Sequence, residues 1–356
     1  MTDTPSRDAD QATTESDLTR LRHRIGVGLD HVLDRTVAPG YTSVGLAIRR
    51  RLPSWPTDPP EQALRGQHII VTGATSGLGI ATAQGLWGLG AHVHLVVRNP
   101  DKAKTVVAEL ESQSTSAPVG DSAAALTTWR CDLADLESVA AFTRDFLASG
   151  TPLNGIVHNA GVLPSQRETS AQGHELTMAV HVLGPVAMTE QLLPALRAHQ
   201  ARVVLVTSGG MYTQALPVHD LEYRVGRYSG TVAYARSKRA QVELLPVLEE
   251  RWASADVRVY ATHPGWAATP GVSESLPAFE ALTRPFLRDP NAGADTTVWL
   301  MATQPRPVGG GLWHDRRQRP TTLWARHRAV AAERDVLWEW VAHSCGLEPS
   351  VAAEPG

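Results

Sequence analysis

Tyr234 and Lys238 stand four residues apart in Tyr234-Ala235-Arg236-Ser237-Lys238, and on a helix that spacing puts both side chains on one face. A free phenol, with a pKa near ~10, is a poor acid and a poorer base at neutral pH. A neighbouring ammonium favours the phenolate and brings the group toward the range where proton transfer works. Any exposed helix can carry Tyr-x-x-x-Lys by chance. The pair gains weight from a glycine loop far upstream, Thr72-Gly73-Ala74-Thr75-Ser76-Gly77-Leu78-Gly79.

Gln67-His68-Ile69-Ile70-Val71-Thr72 is a short apolar, β-branched run of the kind found in buried parallel strands. The loop follows at once, and a helix is expected from Leu78. Strand, tight turn and helix N-terminus together make an anion site, with backbone N–H groups and a favourable dipole facing a pyrophosphate. The spacing is Gly-x-x-x-Gly-x-Gly rather than Gly-x-Gly-x-x-Gly, and no Gly-Lys-Ser/Thr follows to make a nucleoside-triphosphate loop. The next strand, residues 91–97, ends in Arg98-Asn99, where an acid would accept from a ribose 2′-hydroxyl. The first acid, Asp101, lies beyond Pro100. Arg98 instead offers a bidentate partner for a 2′-phosphate, so NADP(H) is the preferred cofactor and NAD(H) the alternative.

Taken together, these residues resemble the short-chain dehydrogenase/reductases, over about residues 66–315. Thr72 to Gly79, with Thr75, Ser76, Gly77 and Leu78 in its bend, matches that family's cofactor loop. The resemblance implies further cofactor contacts: Asp132 and Leu133 near the adenine, Asn159, Ala160 and Gly161 after the fourth strand, and Pro264, Gly265 and Thr269 at the nicotinamide. It also implies Ser208 as the group orienting the substrate oxygen, Tyr234 as general acid/base, and Lys238 as the residue that tunes the phenol and binds the ribose. Ser208-Gly209-Gly210-Met211 and His263 to Val272 resemble the dehydrogenase/reductase member twelve subgroup, with retinol-dehydrogenase-like reductases as neighbours. One position departs. His181 stands where the family carries a relay asparagine, so it either holds the relay water with a titration near pH 6.5 or is a core histidine. The activity implied is NADP(H)-dependent interconversion of an apolar carbonyl and an alcohol by hydride transfer. The alternative is a cofactor-binding sensor or scaffold with little or no turnover, which His181 and the long tails motivate.

The elements that must position these groups follow from the pattern. From residue 66 onward, strands alternate with helices, which specifies an α/β, Rossmann-type doubly wound parallel sheet of about seven strands, covered on both faces. Strands are expected near 67–72, 91–97, 126–131, 153–158, 201–207, 256–262 and 308–313, and helices near 78–89, 101–112, 135–148, 172–198 and 231–252. Residues 1–17 read as a disordered tail, 18–65 as a helical extension, and 316–356 as a helical tail. Residues 112–125 read as a surface insertion and 265–305 as a mobile substrate lid broken by Pro277, Pro285 and Pro290. The lid supplies Trp266, Leu276, Phe279, Leu282, Phe286 and Leu287 to an apolar substrate.

The 356 residues carry a formal charge of −3, which argues against nucleic-acid binding. No run of ~20 apolar residues stands out as a transmembrane helix. Arg49-Arg50-Arg51 with Trp55 could touch a membrane surface, but a helix packed on the domain with a solvated basic end is the simpler reading. Two cysteines, Cys131 and Cys345, exclude a disulfide framework, and a cytoplasmic setting fits best. Fourteen histidines show no metal-ligand spacing, so no metal is expected. Tail tryptophans Trp324, Trp338 and Trp340 serve core packing or a homo-oligomer contact.

Overall fold

The computed structural model describes residues 25–34, 37–113, 124–197, 200–268 and 283–348. The chain forms two compact units, Met1–Thr57 and Asp58–Gly356. In the larger unit seven strands run parallel: His68–Thr72 (β1), His92–Val97 (β2), Leu126–Arg130 (β3), Gly155–His158 (β4), Arg202–Val206 (β5), Arg258–Thr262 (β6) and Gly311–His314 (β7). Their order is β3-β2-β1-β4-β5-β6-β7, and Arg317–Arg319 (β8) adds to the β7 edge antiparallel. The order reverses between β1 and β4, which opens a crevice at the carboxyl ends of those strands.

Among the described residues, helices Gly77–Gly88 (α1), Pro100–Gln113 (α2), Leu136–Ala148 (α3), Leu176–Leu196 (α4), Gly230–Trp252 (α5), Pro290–Ala302 (α6) and Ala331–Cys345 (α7) accompany the sheet. Asp135 caps α3, and Asp289 caps α6 by accepting from Ala292 N–H at 2.8 Å. Apolar positions on β1, β2 and β5 meet Leu86 of α1 and Trp299, Leu300 and Met301 of α6 in one buried core. α4 is long and apolar enough to cross a membrane, but 78% of its apolar window is buried inside the fold. Its composition is explained by that core position.

Several boundaries differ from the sequence expectation. Residues 58–65 belong to the sheet unit, since Leu64 is fully buried in its core. Residues 290–302, expected in the lid at 265–305, form the buried helix α6 instead. Its small residues hid it: Gly293 approaches Leu78, and Gly85 of α1 meets Val298 of α6, so two helices pack closely where bulk would keep them apart. The tail after 315 is also integral. Asp315 and Arg316 turn with φ of 50° and 56°, a two-residue hairpin link of the left-handed type that pairs β8 with β7. Arg239, buried on α5, donates to the carbonyls of Thr321 and His327 at 2.7 Å each and pairs with Glu243. Trp338 is buried beneath the Arg251 guanidinium, Trp340 meets His174 edge-on, and Trp324 is exposed. Residues 114–123 of the expected insertion, and Leu276, Phe279 and Leu282, lie outside the described residues.

In the smaller unit, residues 25–34 and Ser43–Arg50 are helical. Ile25, Leu29 and Val32, which recur at helical spacing, are exposed, and Leu18 and Leu21, which extend that spacing, lie outside the described residues. Arg49 is not part of a solvated basic end: its guanidinium is buried, bonded to Asp30 at 2.7 Å and to the Gly40 carbonyl at 2.5 Å.

A core helix and a mobile lid respond differently to truncation. Leu300→Ala should lower the unfolding free energy by about 2–5 kcal/mol in urea titrations, the range for a buried leucine. A change within about 0.5 kcal/mol, normal for a surface position, would mean that α6 does not carry the core.

Candidate active site

The glycine loop is built around close approaches that leave no room for side chains. Gly73 has φ of 66°, and a Cβ there would come within 2.7 Å of the Ala160 Cα. A Cβ at Gly79 would overlap the Gly73 carbonyl and sit 2.7 Å from Asn159 Nδ2. Thr72 Oγ1 accepts from the N–H groups of Asn159 and Ala160, both at 3.0 Å, and Asn159 Nδ2 donates to the Thr72 carbonyl at 3.2 Å. The turn after β1 is thereby stapled to the turn after β4 (Asn159-Ala160-Gly161). Ser76 caps α1 in extended conformation, its carbonyl accepting from Gly79 N–H at 3.1 Å, yet its side chain makes no capping bond, so the hydroxyl does not occupy the first turn. These features fit a dinucleotide pyrophosphate: backbone donors face the loop, and glycines let it approach. Thr75, Gly77 and Leu78 line the same bend.

At the carboxyl end of β2, Arg98 is exposed. Asn99 Oδ1 caps α2 by accepting from Asp101 and Lys102 N–H, and the Asp101 carboxylate pairs with Lys104 at 2.8 Å. The nearest acid is thus already engaged. Asp132 accepts from Ala134 N–H at 3.0 Å and donates its own N–H to Ser138 Oγ, so its carboxylate is held just beyond β3, beside buried Leu133.

Ser208 ends the strand region of β5 and caps the short helix Gly209–Thr213, its Oγ accepting from Gly210 N–H at 3.3 Å. Tyr234 and Lys238 sit one turn apart on α5, as the spacing requires. Burial raises the Tyr234 phenol above its ordinary value of 10.0, against a smaller lowering from its hydrogen bond with Ser208. Lys238 is almost fully buried and donates from Nζ to the Val206 carbonyl at 2.8 Å, with the ammonium 5.6 Å from the Tyr234 ring centroid. Burial pushes the Lys238 ammonium down to about 7. The expected lowering of the phenol by this lysine is therefore outweighed here, because desolvation disfavours both charged forms.

His181 lies in a π-helical turn, Ala179–Leu183, inside α4. Such turns interrupt regular helices at functional positions. Its Nε2 accepts from Val162 N–H at 2.9 Å, so Nδ1 carries the proton and donates to Ser237 Oγ at 2.7 Å. Ser237 passes its own proton bond to the Tyr234 carbonyl at 2.8 Å, and the His181 carbonyl accepts from Gln241. The ring also stands edge-on to Tyr234, 5.3 Å between centroids. Both ring nitrogens are occupied, and burial followed by the Lys238 charge holds the imidazole well below 6.5. An acidic limb centred near pH 6.5 does not follow from this placement. Ser237 was the residue that motif reading passed over, although it lies inside Tyr-x-x-x-Lys. Pro264 and Gly265 follow β6 beside this site, since a Cβ on Gly209 would come within 2.7 Å of His263 Nε2. Thr269 lies outside the described residues.

A dinucleotide crevice beside a serine, a tyrosine and a lysine defines a nicotinamide-dependent dehydrogenase. The family model for short chain dehydrogenases matches residues 67–278, and the chain belongs to that family of carbonyl and alcohol oxidoreductases. It is 37% identical to dehydrogenase/reductase SDR family member 12 of Bos taurus over 79% of this chain and 87% of the relative. Human retinol dehydrogenase 12 is 31% identical over 80% of this chain and 88% of its own. A short chain dehydrogenase from Escherichia coli CFT073 complexed with NADPH superimposes with a TM-score of 0.56 at 25% identity, covering 72% of this chain and 100% of that one.

The buried histidines give the fold a proton-linked stability. His94 is lowered to about 4 and His158 to about 3, both by burial first, and His181 is lowered likewise. The unfolded chain then binds more protons, so stability is full above about pH 6.5 and declines as pH falls toward the folded values. Each histidine contributes up to ~1.4 kcal/mol per pH unit. In urea titrations from pH 7 to pH 5, His181→Asn should reduce that slope by one such increment. An unchanged slope would contradict the neutral, fully engaged imidazole.

Proposed function

We propose that the chain is an NADP(H)-preferring reductase of apolar carbonyl compounds, with Tyr234 as the proton donor. The observation that carries this reading is the convergence of Ser208, at the end of β5, with Tyr234 and Lys238 on α5, where Lys238 is buried and bonded to the Val206 carbonyl two residues before Ser208. The cofactor supplies the hydride from nicotinamide C4. The Ser208 hydroxyl orients the substrate oxygen, and the Tyr234 phenol gives that oxygen its proton. A phenol raised by burial stays protonated at neutral pH, which suits the reductive direction. Lys238 binds the ribose side and, with an anionic cofactor nearby, regains its charge, because opposite charge favours the ammonium. His181 and Ser237 hold the Tyr234 segment against the turn at Val162.

Arg98 favours the 2′-phosphate because its guanidinium is exposed while Asp101 is committed to Lys104. The backbone donors of Gly73 to Gly79 take the pyrophosphate, with Asp132, Asn159, Ala160, Gly161, Pro264 and Gly265 along the rest of the dinucleotide and Thr269 at its carboxamide. Trp266, Phe286 and Leu287 supply apolar surface, and a relative named for retinol is consistent with an apolar alcohol or aldehyde.

A screen of NADPH oxidation against apolar aldehydes and ketones should find a substrate. With it, Tyr234→Phe should lose about 10²–10⁴ in kcat with NADPH affinity retained, the usual worth of one general acid. Near wild-type turnover would remove Tyr234 from the chemistry. For the cofactor, wild type should favour NADPH over NADH by about 1.5–3 kcal/mol, and Arg98→Asp should narrow or reverse that preference. Equal affinities of wild type for the two cofactors would refute the role of Arg98.

A further inference from the structure

Arg288 is a long cationic side chain with 1% exposure, well outside the motifs that carry the chemistry. Its guanidinium grips the Asp315 carboxylate twice, at 2.6 and 3.0 Å, and reaches His314 Nε2 at 3.4 Å. Asp315 is fixed in turn by the left-handed hairpin link between β7 and β8. The Arg288 backbone is bonded just as closely to the segment after β6. Its N–H donates to the Trp266 carbonyl at 2.7 Å, and its carbonyl accepts from Ala268 N–H at 2.9 Å, forming a parallel bridge with Ala267. The side chain then passes directly under Gly265, which has φ of 77° and where a Cβ would collide with the guanidinium.

That segment borders both halves of the site. Thr207 N–H donates to the Thr262 carbonyl at 2.8 Å, and His263 lies against Gly209, next to Ser208. On the other side, a Cβ on Gly293 of α6 would come within 2.6 Å of Leu78 in the glycine loop and 3.1 Å of Ala267. The His314 ring stacks on His263 at 4.8 Å and bonds to its carbonyl, which completes the support beneath the turn.

We infer that Arg288 is a positioning residue: its ion pair with Asp315 clamps the turn from Pro264 to Ala268 between the glycine loop and Ser208. The clamp sets where the nicotinamide end of the cofactor lies relative to Tyr234. This rests on the cofactor reading proposed above. A bidentate guanidinium pair fixes orientation as well as distance, which a lysine ammonium cannot do.

The test uses Arg288→Lys and Asp315→Glu in the full chain, with thermal unfolding to determine the folded fraction. Displacement of the turn should cost about 10²-fold in kcat/KM for NADPH, the scale of a misplaced reactive geometry. NADPH Kd, read by its fluorescence, should rise, and the deuterium isotope effect with C4-deuterated NADPH should increase as the hydride step becomes slower. Asp315→Glu, which keeps a guanidinium–carboxylate pair, should fall between wild type and Arg288→Lys. A purely structural residue would lower kcat only in proportion to the folded fraction, with KM, Kd and isotope effect unchanged. That result overturns the inference. Should Arg288→Lys fail to fold, Gly265→Ala, which pushes on the same contact from the turn side, decides by the same readouts. Wild type that binds no NADPH would refute the cofactor reading, whereas normal binding by wild type and variants alike would refute only the clamp.

Discussion

The burial of Lys238 is the constraint from which the site follows. A cation removed from water costs several kcal/mol unless bonds recover it. Here the Val206 carbonyl at the end of β5 accepts a hydrogen bond from Nζ, and Thr207 Oγ1 donates to the Lys238 carbonyl at 3.1 Å. Those two bonds lock α5 in register with β5. That register brings Ser208, which follows Thr207, to the same end of the sheet as Tyr234, one helical turn before Lys238. Burial raises the pKa of the half-buried Tyr234 phenol and keeps its proton on, while the fully enclosed lysine is pushed down to about 7. The chemistry is thus poised by desolvation, and a bound anionic cofactor is the natural counterweight.

The second constraint is steric. Gly73 against Ala160 and Gly79 against Gly73 pack two turns so tightly that only backbone fits, and Thr72 and Asn159 staple them. The crevice between β1 and β4 is therefore shaped before any ligand arrives. His181 extends that logic. Its imidazole bonds the Val162 N–H on one side and Ser237 on the other, so the π turn of α4 braces α5 against the turn after β4. An imidazole is larger than an asparagine amide, and the close neighbour at Gly161, where a Cβ would lie 3.3 Å from its Nε2, leaves it the room it needs.

Much of this was legible in the sequence because it is local. Parallel strands such as His68–Thr72 and His92–Val97 announce themselves as apolar runs, and the glycine loop and Tyr-x-x-x-Lys depend on spacing alone. What escaped depends on partners distant in the chain. Helix Pro290–Ala302 looks like a lid from its proline start and small residues, yet those residues exist to pack against α1. The β7–β8 link was hidden because Asp315-Arg316 lacks the usual glycine. Arg316 bears its left-handed backbone through bonds to both Asp295 oxygens, at 2.9 and 2.8 Å, a compensation no local pattern reveals. Likewise, the effect of Lys238 on Tyr234 could not be signed from spacing, since burial sets it.

The central claim is that Lys238 is a desolvated ammonium with a strongly lowered pKa. The chain has three lysines, and Lys102 is exposed at the start of α2 and Lys104 one turn into it, so an NMR titration of the lysine side-chain nitrogens can resolve Lys238 without ambiguity. In the cofactor-free protein its midpoint should fall near 7, apart from the other two. A midpoint for Lys238 at the ordinary lysine value of about 10.4 would show that the site is solvated, and the account of how the tyrosine is poised would fail.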